Sequence, residues 1–344
     1  MREYGAVTDE QVRAAGLLAG PRGRELCAGL AGVSAYDIRD LGAARLAAIL
    51  ASRDDGGLAE GFDSGSPLAA LPVLNEIANH VSYWGDYTAD DPLEDTPVFA
   101  ALQPVAELAA AAAGSQWWWS GLDRDGQGYV QWTQRTRYDA RADPLPGPGR
   151  TGPMLYEAAR ADAEREQQMA EYRRFPAGAG PGSQWWSCPR AFETTRCLDG
   201  LGAVILAVCE DGFGDTEALV WPVAISDEAR VYEVDGPAAW QQLVTAYPRV
   251  ATASYRHTWY WTGWDGDWLV PDWPAVARDW DGVHLTVAAY LETAGRTLRV
   301  GSARTMLAGW NPDETYWFAD VLVPAGEPQH WRTDDGSPLT WHQY

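Results

Sequence analysis

Lysine is absent from the 344 residues, and all 26 basic residues are arginine. A chain without lysine forms no internal Schiff base, holds no pyridoxal phosphate that way, and supplies neither a P-loop nor a kinase lysine. Those enzyme classes are excluded on chemistry. Cysteine is scarce, and Cys27, Cys188, Cys197 and Cys209 share no CxxC spacing. They read as reduced, mostly buried thiols, not as a zinc site or a disulfide framework. The five histidines show no HxH, HxD or HExxH spacing, so neither a metal nor a cofactor is expected. Long apolar runs are also missing. The opening MREYGAVTDE has no signal-like core, and no run approaches membrane-spanning length. A cytoplasmic protein with no membrane partner is the expectation.

Positive charge is in short supply overall, with 26 basic against 48 acidic residues and a net charge of −22. A nucleic-acid partner is excluded, because phosphates need a cationic face. No basic residue lies between Arg53 and Arg124, a stretch holding Asp54, Asp55, Glu60, Asp63, Glu76, Asp86, Asp90, Asp91, Glu94, Asp95, Glu107 and Asp123. A solvated acidic face accounts for it; a cationic partner or loosely held calcium is the alternative. What the chain has in excess is tryptophan: 19 residues, eighteen of them after residue 116 and ten after residue 250.

A chain this long favours two domains. The pattern predicts an α+β protein: an N-terminal helical bundle followed by a Trp-rich, mixed C-terminal domain with antiparallel hairpins. The expected units are 1–141, helical and ending in a Trp-rich hairpin; 142–183, Pro/Gly linkers around one charged helix; and 184–344. Thr8 with Gln11 is a capping box, with Val7 and Val12 as its hydrophobic staple, and Ser34 with Asp37 and Val33 with Ile38 repeat the device. Thr96-Pro97 opens another helix. Asp125-Gly126 predicts a hairpin pairing Trp119 with Trp132, and Asp265-Gly266 a second pairing Trp261 with Val270. Gly202–Cys209, Ala218–Ile225, Arg230–Val234, Val250–Trp261 and Val283–Leu291 read as strands. Pro237–Tyr247 and the segment capped by Asp272 read as helices. GSQWW occurs at both 114–118 and 182–186, and each copy is expected to lead into a strand.

The second hairpin gathers Trp259, Trp261 and Trp268 on one face. Such a wall suits a small neutral or cationic ligand, by stacking or by cation–π attraction. Arg256, His257, Asp265 and Asp281 are the polar candidates beside it. Two other roles stay open: the rings fill space between a sheet and its helices, or they serve as contact anchors in a protein-interaction module. The oligomeric state is left open.

Asp281-Gly282-Val283-His284-Leu285-Thr286, with Tyr290 beyond, resembles the last block of SGNH (GDSL-type) hydrolases. The resemblance implies a Ser-His-Asp triad with His284 as general base and Asp281 as its orienting carboxylate. It covers that block alone. Gly61-Phe62-Asp63-Ser64 departs from the family's nucleophile block, and Gly309-Trp310-Asn311-Pro312-Asp313 comes too late to serve as its Gly-x-Asn-Asp block. No serine is therefore assigned. Thr252, Ser254, Arg256 and His257 with Glu292 or Glu314 also supply the residue types of NAD-dependent ADP-ribosyl transfer, with compressed spacing. No GxGxxG follows a strand and no GxSxG elbow occurs.

Overall fold

Thr8 opens the first helix reciprocally. Its Oγ1 accepts from the Gln11 amide at 3.3 Å, while Gln11 Oε1 accepts from the Thr8 amide at 3.1 Å. The computed structural model describes residues 8–34, 37–38, 41–52, 65–79, 92–133, 149, 151–210, 215–334 and 340–344. Val7, His80, the 61–64 block, residues 142–148 and most of the acidic stretch lie outside them. The helices are α1 (Asp9–Ala19), α2 (Pro21–Leu30), α3 (Ala43–Ala51), α4 (Leu71–Asn79), α5 (Thr96–Ala111) and α6 (Thr151–Met169). They continue with α7 (Pro237–Ala246), α8 (Thr252–Tyr255), α9 (Trp273–Asp279) and α10 (Val287–Thr293). Ser34 Oγ accepts from the Asp37 amide at 3.2 Å, and Val33 and Ile38 are buried in one apolar cluster, as the staple requires. Among the described residues no single helix is long and apolar enough to cross a membrane.

The strands are β1 (Gln127–Trp132), β2 (Phe192–Arg196), β3 (Glu217–Ile225), β4 (Val231–Val234), β5 (Pro248–Val250), β6 (Leu269–Pro271) and β7 (Gly282–Leu285). After them come β8 (Leu298–Val300), β9 (Ala303–Thr305), β10 (Glu314–Trp317), β11 (Leu322–Pro324), β12 (Gln329–Arg332) and β13 (His342–Gln343). The main sheet runs β13-β12-β3-β1-β2-β10-β7-β4, with β11 also on β3. Every pair in it is antiparallel except β4 with β7. The protein is α+β. β1 lies in the predicted first unit, yet it is an interior strand between β2 and β3, which lie in the predicted last one. Leu17 of α1 and Leu26 of α2 share an apolar core with Val283, Leu285 and Tyr290. The helical and sheet parts are thus joined through one core.

Several predicted elements take other forms. Residues 113–119 are a 3-10 helix, not a strand, so Asp125-Gly126 turns no hairpin. Asp123 Oδ1 accepts from the amides of Asp125 and Gly126, at 3.2 Å each, making a side-chain-stapled turn. Val250–Trp261 is not a strand either, since α8 and a second 3-10 turn (Tyr260–Thr262) occupy it. β6 pairs with β5 across that whole excursion. Within Gly202–Cys209 the chain makes a short buried 3-10 turn, Val204–Leu206, rather than a strand. The apolar run at 283–291 is divided: β7 ends at Leu285, and Thr286 Oγ1 accepts from the Ala289 amide at 3.0 Å to start α10. Short apolar runs fit a buried strand and a buried helix equally well, and here a threonine cap decides.

Alternation gives the sheet two different faces. One carries Val234, Val283, Leu285, Tyr316 and Val220 into the main core. The other carries Ile225 and Trp317 into a small apolar cluster and, next to it, a strip of buried polar side chains.

Candidate functional site

The polar strip is a single row across four neighbouring strands. Glu233 of β4 is in register with His284 of β7, His284 with Thr315 of β10, and Thr315 with Thr194 of β2. Registered partners project to the same face of a sheet. Thr194 Oγ1 donates to Gln127 Oε1 at 2.8 Å and accepts from Trp317 Nε1 at 2.9 Å, which extends the row to β1. His284 is fully buried between two carboxylates, with Glu233 Oε2 2.6 Å from Nδ1 and Asp313 Oδ1 3.5 Å from Nε2. Asp313 also accepts from the Arg196 amide at 2.9 Å and lies 3.4 Å from its Nε. The Arg196 guanidinium reaches Ser120 Oγ and the Gly121 carbonyl, and lies over the Trp117 ring. Burial alone would depress the His284 pKa; the carboxylates of Asp313 and Glu233 overcome it and raise it to about 9. Burial likewise pushes Glu233 up, but its bond to His284 leaves it below the usual carboxylate range. The imidazole is clamped between two carboxylates, an arrangement that favours its protonated form. The Glu233 side chain, 38% exposed, is where this network meets solvent.

Asp281 is not the partner of His284. Its carboxylate accepts from the Arg230 amide at 2.8 Å, from Nε at 3.2 Å and from Nη2 at 3.2 Å. Burial raises its pKa, and these Arg230 bonds outweigh that and lower it. The reason is geometric: residues three apart along an extended chain point to opposite faces. The triad role implied by the resemblance is corrected accordingly, with Glu233 and Asp313 flanking the imidazole.

The tryptophan wall is also corrected. Trp259 and Trp268 are fully buried, with ring centroids 4.9 Å apart and edge to face; Tyr255 stacks on Trp259 at 3.8 Å. Trp261 is half-buried and packs on the same cluster. These rings are core. Arg256 and Asp265 form a bidentate ion pair at 2.5 and 3.0 Å, and Arg256 also donates to the Arg173 carbonyl. His257 Nδ1 accepts from the Gly180 amide and Nε2 meets the Tyr172 carbonyl, both at 3.1 Å, so this histidine ties the end of α6 to α8. Among the described residues no tryptophan is exposed. The ADP-ribosyl set is spent locally too. Glu166 of α6 accepts from the Ala253 and Ser254 amides and from Ser254 Oγ, each at 2.8 Å, and Glu314 bonds to Asn311.

The 309–313 block, out of place as a Gly-x-Asn-Asp motif, belongs to a loop at 309–314 that feeds both faces of the sheet, a role sequence reasoning did not assign to it. Gly309 adopts φ +75°, and a Cβ there would come 2.5 Å from Trp186 Cβ. Asn311 donates to Glu314 from its amide at 2.9 Å and from Nδ2 at 2.7 Å, while its Oδ1 accepts from the Glu210 amide at 2.7 Å. Glu210 in turn accepts from the Tyr290 hydroxyl at 3.1 Å. Asp313 is a non-glycine residue at φ +60°, a conformation held only when its surroundings over-determine it. Burial, then the Glu193 charge, raise the Glu314 pKa to about 8. The one sequence signal was a polar Asn-Pro-Asp-Glu run beside a buried tryptophan.

Behind Gly309, Trp186 lines a cleft between α6 and α9. Its walls are Leu155, Ala158, Ala159 and Asp162 of α6, then Trp186, Cys188 and Arg190, and then Arg249, Trp273 and Pro274. The space is about 310 Å³ including its open mouth, and the enclosed part holds about one water. Asp162 pairs with Arg249 at 3.2 Å and with Arg165 at 2.9 Å, so one carboxylate is shared by two arginines. Arg190 is exposed, lies over the Trp186 ring at 5.4 Å, and has no ion-pair partner among the described residues. Burial drives the Cys188 thiol far above its usual range, which disfavours the thiolate. All four cysteines are free. Among the described residues no three His, Cys, Asp or Glu side chains are placed to hold a metal. No family model, curated protein or solved structure matches the chain.

Proposed function

We propose that the chain binds a small flat ligand carrying an anionic group, seated across the mouth of the Trp186–Trp273 cleft. One observation carries this reading: Arg190 is a cation without a carboxylate partner among the described residues, held over an indole face at the rim of a concavity. A guanidinium stacked this way is poised to pair with a carboxylate while the adjacent ring packs on the ligand body. The sequence expectation of a tryptophan-lined ligand site is kept, with different tryptophans and the opposite charge preference. Because the enclosed part is only water-sized, the ligand lies over Arg190 and Trp186 rather than inside. A cytoplasmic location belongs to the same proposal, because four free thiols are at home there.

The test is calorimetry with a panel of flat aromatic carboxylates, amines and alcohols on the wild type and Arg190→Ala. Carboxylates are expected to bind, and to bind about tenfold more weakly to the variant. Equal binding of amines, or carboxylate binding indifferent to Arg190, would retire the proposal.

A further inference from the structure

Among the described residues three buried polar atoms on the His284 face of the sheet have no close hydrogen-bond partner: Thr315 Oγ1, Gln127 Nε2 and His284 Nε2, which is 3.5 Å from Asp313 Oδ1. Their residues are 0%, 0% and 1% exposed. Buried polar groups are nearly always satisfied, so three orphans on one strip mark a site rather than an accident. The register makes them neighbours. Thr315 sits between His284 and Thr194, and Thr194 holds the Gln127 carboxamide by its oxygen, leaving the amide nitrogen unengaged among the described residues.

The surrounding chemistry selects the occupant. His284 Nδ1 is already engaged by Glu233, and Gln127 Oε1 and Thr194 Oγ1 are both used. What remains are N–H and O–H donors, with Asp313 Oδ1 as the acceptor 3.5 Å from the imidazole. An anion would meet the carboxylates of Asp313 and Glu233; a cation would meet His284 and Arg196. A neutral molecule that both accepts and donates avoids both penalties.

We propose that the strip is an internal binding site for one water molecule, which accepts from His284 Nε2 and Gln127 Nε2 and donates to Asp313 Oδ1 and Thr315 Oγ1. It completes a hydrogen-bonded chain from the solvent-touching Glu233, through His284, to the positive-φ Asp313 and Arg196. The surface carboxylate is thereby connected to the 309–314 loop.

Oxygen-17 relaxation dispersion on the wild type, Thr315→Val and Thr315→Ser tests this, with urea unfolding alongside. The wild type and the serine variant should hold one long-lived internal water more than the valine variant. Valine should also lower the folding equilibrium constant about tenfold, through loss of a bridged hydroxyl. If the site is dry, valine removes an unsatisfied hydroxyl and the protein becomes more stable. That result, or an unchanged count of internal waters, overturns the inference. Should the valine variant fail to fold, Gln127→Leu is read by the internal-water count alone, because it also breaks the Thr194 bond; one water fewer than the wild type supports the site and an unchanged count overturns it.

Discussion

Asp313 and Glu314 are adjacent in the chain and serve opposite faces of one sheet. Asp313 meets His284 and Arg196 on the polar strip, whereas Glu314 meets Asn311 on the side of the main core. The switch is made by the left-handed turn at Asp313, which lets a short loop satisfy two separate buried networks.

That relationship predicts an ordered series at residue 313. Asp313→Asn keeps a side chain that tolerates positive φ but removes the charge, leaving His284 and Arg196 one partner short. About 3 kcal/mol of stability should be lost. Asp313→Ala loses the polar group as well and adds about 1 kcal/mol of backbone cost. Urea unfolding of the two variants should rank asparagine above alanine; equal losses would mean the dihedral is not strained.

Stability should fall as pH rises from about 5 to 9. His284 has a folded pKa of about 9, so its contribution is present below its ordinary value of 6.5 and is lost as pH climbs through 9. Glu292 and Glu314, raised chiefly by burial to about 7 and about 8, resist ionising in the folded state. Each therefore subtracts stability progressively above its ordinary value of 4.5. All three act in one direction. A thermal midpoint that rises between pH 6 and 9 would contradict this.

Glu292→Gln isolates one of the three. Its carboxylate faces Gly16 across the α1–α10 contact, and it forms no ion pair among the described residues. The variant should match the wild type near pH 5 and exceed it by about 1–2 kcal/mol at pH 8. A constant offset at both pH values would assign the effect to packing instead.

His284 itself can be followed by nitrogen-15 chemical shifts of its imidazole. Its midpoint should lie above pH 8, and Glu233→Gln should lower it, since the 2.6 Å partner is then neutral. A midpoint near 6.5 in the wild type would show that the clamp does not hold a charge.

Two glycines at positive φ offer a controlled comparison. Gly301, in the β8–β9 turn, has φ +60° and open space where a Cβ would sit, so alanine there should cost about 1 kcal/mol. Gly309→Ala adds a clash with Trp186 to the same backbone penalty and should cost clearly more. It should also shift the tryptophan emission, because Trp186 must move.

The sequence was most legible where structure is local. Thr8, Ser34 and Asp272 cap the helix starts assigned to them, each through side-chain bonds spanning three residues. The charged helix expected between the Pro/Gly linkers is α6 with a 3-10 extension ending at Arg174. Turn signals were legible as turns but not as hairpins. Asp125-Gly126 is closed by Asp123, and Asp265 is committed to Arg256. The histidine network was illegible because its members come from β4, β7 and the loop before β10, with no shared spacing to betray them. Counting tryptophans overstated exposure: in this fold the rings chiefly fill interior volume, and the rim of the one described cleft uses Trp186.

β10 enters the middle of the sheet, between β2 and β7, although it is made of residues 314–317. During synthesis β2 therefore waits for a neighbour more than a hundred residues away. Its open side is a ready template for mispairing throughout that interval. The polar row along β2, β10 and β7 makes the wrong partner costly, since any other strand would leave His284 without Asp313.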